Sequence, residues 1–152
     1  MTHERNIKDN DISFYINPSD RGIYNKSPGG IVLIQGDHNS VCPIFGIPRF
    51  IDGHDITLCD KLYIHYSNKI ARNEGDYLVT DMTISPSDEN FVLFSWLISE
   101  NITMHPGILT FTVNFLCNDA GGNVIYSWGT RSCGTIIRKR INNGESISGV
   151  NE

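Results

Sequence analysis

Apolar residues recur along this chain with a period of two, the spacing that turns one side of a β-strand toward a core. The clearest case is the segment from Leu109 to Cys117, in which every second residue is apolar and the residues between are Thr, Asn or Leu. The segment from Leu62 to Ser67 alternates in the same way. β-Branched and aromatic residues fill most apolar positions, which is typical of strands. The pattern therefore predicts an all-β chain.

Further segments of the same composition raise the predicted number of strands to about eight. They are residues 30–34, 41–47, 77–84, 91–98, 124–130 and 134–137. Gly, Pro and Asx residues between them predict turns, with Asn73–Asp76 as one turn and Ser85–Asn90 and Asp119–Asn123 as hairpin connections. A single helical turn is predicted within Asp55–Lys61.

Turns at roughly every tenth to fifteenth residue favour two layers of antiparallel strands. We predict an antiparallel Ig-like or jelly-roll-like β-sandwich over residues 30–141. Residues 1–29, with one short strand at Phe14–Ile16, are predicted to be an extended arm that adds an edge strand or lies on a neighbouring subunit. The polar residues 142–152 are predicted to be a flexible tail.

Composition limits the kind of protein this can be. The chain has 152 residues, of which 39% are hydrophobic and 19% charged, as expected of one globular domain. A net charge of −5 argues against binding to nucleic acid, which requires clustered Lys and Arg. The most apolar stretch, Phe91–Ile98, is too short to span a membrane.

The amino terminus and the cysteines favour a cytoplasmic origin. The first residues are polar and lack the apolar core of a secretory signal, so we expect synthesis and retention in a cytoplasm. Four cysteines are too few and too scattered for the disulfide scaffold of a small secreted domain. They are predicted to be reduced.

Two polar segments, residues 37–40 and 52–55, contain the residue types that bind metals or transfer protons. A metal-dependent enzyme would use His38, His54 and Asp52 here. The segments lack zinc-ligand spacing and do not match a calcium loop, and Asx and Gly at bends already explain them. We therefore predict structural turns, with no metal and no cofactor.

The sequence gives equally little support for other catalytic patterns. The chain has no nucleophile elbow and no phosphate-binding loop. Cys133 lies in a Ser-Cys-Gly turn with His105 as a distant partner, but a buried cysteine is the commoner explanation. The sequence predicts that the protein is not an enzyme.

Two tryptophans and several tyrosines raise the alternative of carbohydrate binding. Trp96 has apolar neighbours on both sides and is predicted to be a core residue, whereas Trp128, beside Gly129, is the candidate for an exposed aromatic platform. The candidate binding residues are Trp128 and Tyr126, together with Asp37, His38 and Asn39.

Several runs of residues resemble those of small structural proteins from tailed phages and prophages of gut Gram-positive bacteria. The runs are Gly36–Ser40, Ile47–Phe50, Asp52–Asp55, Phe94–Leu97 and Tyr126–Trp128. Their order and spacing, over residues 30–137, are also similar to the amino-terminal Ig-like module of phage baseplate upper proteins. We expect no long coiled coil or receptor-binding head after this region, which favours a decoration or connector role over direct binding to a host receptor.

The resemblance implies a virion structural protein that is assembled in the bacterial cytoplasm and carries no catalytic residues. It would be a capsid decoration or a tail or baseplate component, with the major capsid protein or a tail protein as partner. It would occur as a homo-oligomer or in many copies on a lattice, where several weak contacts give firm attachment. Host or mucus glycans are further expected partners, and nucleic acid and membranes are not.

Overall fold

The computed structural model describes residues 12–27 and 30–141, which form thirteen strands and two short helical turns. The strands are β1 (Phe14–Asn17), β2 (Gly22–Asn25), β3 (Leu33–Ile34), β4 (Ile44–Pro48), β5 (Phe50–Ile51), β6 (His54–Asp55), β7 (Lys61–Asn68), β8 (Asn73–Leu78), β9 (Thr83–Ile84), β10 (Phe91–Ser95), β11 (Gly107–Asn118), β12 (Val124–Gly129) and β13 (Cys133–Arg138). A 3-10 turn spans Ile56–Leu58 and helix α1 spans Glu100–Thr103. The all-β prediction is confirmed. Neither helical element of this described part is long and apolar enough to cross a membrane.

The strands form two main sheets and a small hairpin. The five-stranded sheet has the order β2-β1-β4-β10-β9, and the six-stranded sheet has the order β3-β13-β11-β7-β8 with β12 also paired to β11. The long strand β11 is central, because β13 pairs with its first half and β12 with its second. Strands β5 and β6 form the separate hairpin.

Two of the strand pairs are parallel, which corrects the prediction of a purely antiparallel arrangement. Strand β1 runs parallel to β4, and β3 runs parallel to β13. A parallel pair requires a crossover connection rather than a tight turn. Between β1 and β4 the chain supplies that crossover by passing through β3 in the other sheet.

Aromatic rings from both sheets form one shared core. Phe45 stacks on Phe94 within the five-stranded sheet, with ring centroids 5.1 Å apart. Phe111 of β11 meets Phe45 edge-on at 6.1 Å and Trp96 at 5.1 Å. Trp96 is fully buried, as predicted. The rings therefore hold the two sheets face to face.

The predicted turns are partly confirmed. Residues 85–90 connect β9 to β10, and residues 119–123 connect β11 to β12, both as antiparallel hairpins. The turn predicted at residues 73–76 is wrong, because this segment is the start of β8 and the bend lies just before it. Gly75 pairs with Tyr66 across β7 and β8, and a Cβ at position 75 would lie 2.6 Å from Oη of Tyr66, which explains a glycine within this strand.

The amino-terminal segment contributes a hairpin to the fold. Strands β1 and β2 pair with each other, and β1 pairs with β4, so this hairpin forms one edge of the five-stranded sheet. Phe14 and Ile16 are buried in the shared core. Residues 1–11 and 28–29 of the predicted arm, and residues 142–152 of the predicted tail, lie outside the described residues.

Two cysteines form a disulfide, so the prediction that all four are reduced is wrong. Cys59 follows the 3-10 turn and is bonded to Cys117 near the end of β11, with their Cα atoms 4.5 Å apart. The two positions are 58 residues apart in sequence. The pairing of Lys61 with Leu116 across β7 and β11 brings them together.

Candidate functional site

The hairpin of β5 and β6 turns tightly through two residues. Asp52 and Gly53 have φ angles of 51° and 79°. Two consecutive positive φ angles are typical of the type I′ turn, which favours an Asp-Gly pair. Ile51 is buried and anchors the hairpin, while His54, its partner across the hairpin, is exposed. The hairpin therefore presents the His54 ring at the surface.

His54 stacks on Tyr126 of β12, and the two rings form the only His–Tyr stack among the described residues. Their ring centroids are 3.8 Å apart and their planes differ by 19°. The Tyr126 hydroxyl donates a hydrogen bond of 3.4 Å to Oδ2 of Asp52. Burial, and then the charge of Asp52, raise the pKa of Tyr126, so the phenol stays protonated near neutral pH. The result is a half-buried aromatic surface beside a carboxylate.

An ion pair behind the hairpin fixes its orientation. Nη2 of Arg49 lies 2.9 Å from Oδ2 of Asp55, and the backbone N–H of Thr57 donates to Oδ1 of the same carboxylate at 3.0 Å. The hydrogen bonds from Arg49, and then those from Thr57, lower the pKa of Asp55 to about 2. Asp55 thus joins the hairpin to the 3-10 turn that follows it.

We expect Asp55→Asn to destabilise the protein near neutral pH and to have little effect near pH 2. The folded pKa of Asp55 lies below its ordinary value of 3.8, so its contribution to stability is present above that value and is lost as the pH falls toward about 2. Urea unfolding of both proteins between pH 7 and pH 2 tests this. A difference between them that does not change with pH would contradict the expectation.

Trp128 is buried, so the prediction that it forms an exposed platform is wrong. Its side chain is 4% exposed, and its ring lies 5.9 Å from that of Phe115. The guanidinium of Arg21 lies over the ring at 5.2 Å. Trp128 pairs with Phe115 across β11 and β12, and this register turns both side chains toward the core. The position of Trp128 near the end of a strand therefore did not mean that its side chain is exposed.

Asp37, His38 and Asn39 lie in a loop that packs on α1. Asp37 accepts from the backbone N–H of Ile34 at 3.0 Å and forms an ion pair with Arg140 at 2.9 Å. Nδ1 of His38 accepts from the backbone N–H of Glu100 at 3.0 Å. Asn39 adopts a φ of 57°, and its backbone N–H bonds to the carbonyl of Ile98.

These contacts separate the predicted binding residues into two groups. Asp37, His38 and Asn39 hold their own loop, whereas Tyr126 contacts His54 and Asp52. The candidate metal ligands are separated in the same way. His38 bonds to α1, whereas His54 and Asp52 lie beside Tyr126. Within residues 12–27 and 30–141 no three His, Cys, Asp or Glu side chains converge as a metal site would require.

His65, for which sequence analysis made no prediction, lies between two carboxylates on the outer side of the six-stranded sheet. Its Nδ1 is 2.6 Å from Asp76 and its Nε2 is 3.0 Å from Glu74. The hydrogen bond with Asp76 raises the pKa of His65 above 6.5. The two carboxylates thus favour the protonated imidazole.

We expect this cluster to stabilise the protein in acid rather than in base. Because the folded pKa is raised, the contribution is complete below about pH 6.5 and is lost as the pH rises through the folded pKa. An NMR titration of the His65 ring should show the raised pKa, and Asp76→Asn should lower it. An unchanged titration in that variant would contradict the assignment.

The segments that contain the aromatic pair also carry exposed apolar side chains, a feature that strand periodicity did not reveal. Four of them are between 50% and 79% exposed, namely Phe50, Leu58, Val124 and Ile125. The His54–Tyr126 stack and the Cys59–Cys117 disulfide join the two segments that carry them. We call this region, residues 50–60 and 118–126, the apolar end. Clustered exposed apolar residues mark protein contact surfaces more often than scattered ones do.

Comparison of the chain with protein-family models finds no match, and comparison with curated proteins finds none either. The functional conclusion therefore depends on the residues that the fold brings together. Among them the apolar end combines several exposed apolar side chains with a predicted site residue, Tyr126.

Proposed function

We propose that this chain is a non-enzymatic structural protein of a bacteriophage virion, either a capsid decoration or a tail or baseplate component. The main support for this proposal is the apolar end. Its aliphatic side chains are held on a rigid frame by the disulfide at Cys59 and by the Arg49–Asp55 ion pair. A surface whose backbone is already held in place loses less entropy on binding, which suits a permanent protein contact.

The residue runs that resemble phage proteins also support a structural role, because they build the fold. Phe94 and Trp96 belong to the core, and Arg49 pairs with Asp55. Asp37 joins its loop to Arg140. The polar groups of these runs are thus used in contacts within the chain.

We further propose that the two facing sheets form an Ig-like or jelly-roll-like sandwich. The shared aromatic core and the central position of β11 support this assignment. The parallel pairs β1–β4 and β3–β13 would be a variation on that plan. The protein would assemble in the bacterial cytoplasm, with a major capsid, tail or baseplate protein as its partner, and the Cys59–Cys117 disulfide would form once the particle leaves that reducing compartment.

The test is to recover the chain from virus particles. Particles released by the bacterium that encodes it should contain the chain after density-gradient purification, and cross-linking should join it to a capsid or tail protein. Leu58→Lys should reduce its incorporation, whereas Ile70→Lys should not, because Ile70 is 93% exposed in the turn between β7 and β8. A chain that is absent from purified particles would refute the proposal.

Carbohydrate binding is a second candidate, which the Tyr126–His54 stack favours. The exposed His54 ring, stacked on Tyr126 next to the Asp52 carboxylate, offers a sugar both an aromatic surface and a hydrogen-bond acceptor. A glycan array should then show binding that Tyr126→Ala abolishes. Tyr63→Ala, on the outer side of β7, is the matched control and should bind normally. An array without signal would exclude this candidate.

A further inference from the structure

A second exposed apolar surface lies at the other end of β11. Ile108 of β11 pairs directly with Ile136 of β13, and Val32 lines the same groove as Ile136 and Arg138. The side chains of Val32, Ile108 and Ile136 are between 54% and 62% exposed. We call these three residues, with Arg138 and Lys139, the basic row.

The basic row carries positive charge that is free to meet a partner. Arg138 follows Ile136 by two residues in β13, so both side chains point to the same side of the sheet. Arg138 and Lys139 are exposed and take part in none of the ion pairs formed within the described residues. Arg140 is different, because Asp37 neutralises it.

The apolar end carries the opposite charge. Asp52, Asp60 and Asp119 are exposed there and form no ion pair in the described part of the chain. The cations nearby are Lys61, beside Asp60, and Arg21, which lies over Trp128 and acts on Tyr126, whereas Arg49 is already paired with Asp55. Three carboxylates thus face two cations outside ion pairs. Negative charge therefore remains in excess around the exposed apolar residues.

The two surfaces lie too far apart to form a single patch. Ile108 is at the start of β11 and Cys117, which anchors the apolar end, is near its finish. Nine residues of extended strand span about 30 Å. One molecule thus has an acidic apolar surface at one end of β11 and a basic apolar surface at the other.

We propose that copies of this chain associate head to tail, with the apolar end of one copy seated on the basic row of the next. The surfaces match in chemistry, since apolar groups face apolar groups and Asp faces Arg or Lys. Because each contact joins two different surfaces, it leaves a free surface at each end of the pair and generates a ring or a filament. The net charge of −5 on each copy opposes association, but salt screens that repulsion over about 8 Å, whereas the contact pairs opposite charges at close range.

This inference depends on the proposed function only for its biological purpose, which would be repeated attachment along a virion. The contact itself concerns purified protein alone. Copies that associate but never enter particles would refute the virion role and leave this inference intact. A chain that is present in particles but monomeric in solution would refute this inference and support the virion role.

The test uses two variants that each destroy one surface. Leu58→Lys places a cation in the apolar end, and Ile136→Asp places an anion in the basic row, so each should weaken association by more than about tenfold. Ile70→Lys, at an exposed position in the turn between β7 and β8, is the control and should associate like the wild type. Sedimentation velocity measures the assemblies, and circular dichroism confirms that each variant is folded.

Mixing the two variants gives the decisive result. The intact apolar end of Ile136→Asp can seat on the intact basic row of Leu58→Lys, so an equimolar mixture should form heterodimers and nothing larger. Raising the salt concentration should weaken them. A wild type that stays monomeric, a mixture that stays monomeric, or an Ile70→Lys control that dissociates would each overturn the proposal.

Discussion

We expect Phe111→Ala to lower the free energy of unfolding by about 3 to 5 kcal/mol, the range for removing a buried aromatic ring from a close-packed core. Phe111 projects from β11 of the six-stranded sheet and contacts the rings of Phe14 and Phe45, which belong to the other sheet. It also contacts Trp96. Its removal leaves a cavity between the sheets that these rings cannot fill without moving.

Urea unfolding followed by tryptophan fluorescence measures this loss, because Trp96 lies against the Phe111 ring. Ile70→Ala is the control, since an exposed residue away from other contacts should change stability by less than about 0.5 kcal/mol. Phe111→Leu retains much of the volume and should cost less than the alanine variant. Equal stability of Phe111→Ala and the wild type would show that the two sheets do not share this core.

The second large effect concerns the Cys59–Cys117 disulfide. The bond closes a loop across a sequence separation of 58 residues, and the chain-entropy model gives a stabilisation of about 4 kcal/mol for a loop of that size. We therefore expect the reduced protein to unfold at a much lower urea concentration than the oxidised protein. The reason is that the unfolded chain gains conformational freedom once the loop opens.

Unfolding with and without a thiol reductant tests this, and a Cys59→Ala/Cys117→Ala variant should match the reduced protein in both conditions. Cys133→Ser is the matched control, because Cys133 is not in the disulfide and should leave the response to reductant unchanged. Mass spectrometry of the folded protein should find two fewer hydrogens than in the fully reduced chain. Oxidised and reduced proteins of equal stability would contradict the expectation.

The sequence alone determined those local structures that depend only on residues close together in the chain. The alternation of Leu109 to Cys117 fixed both the strand and its buried side, as the period of a strand requires. Asp52-Gly53 fixed a tight turn, because Asp and Gly tolerate the positive φ angles that the turn needs. Asp119–Asn123 fixed a hairpin for a similar reason. The all-β class followed from these patterns.

The tertiary structure decided everything that depends on which strands become neighbours. Register across β11 and β12 buried Trp128, and register across β7 and β11 brought Cys59 to Cys117. Contact between strands also placed Gly75 within a strand, beside Tyr66. The two apolar surfaces at opposite ends of β11 arise in the same way. Local patterns cannot specify such contacts, because they join residues far apart in the chain whose packing is settled only when the sheets meet.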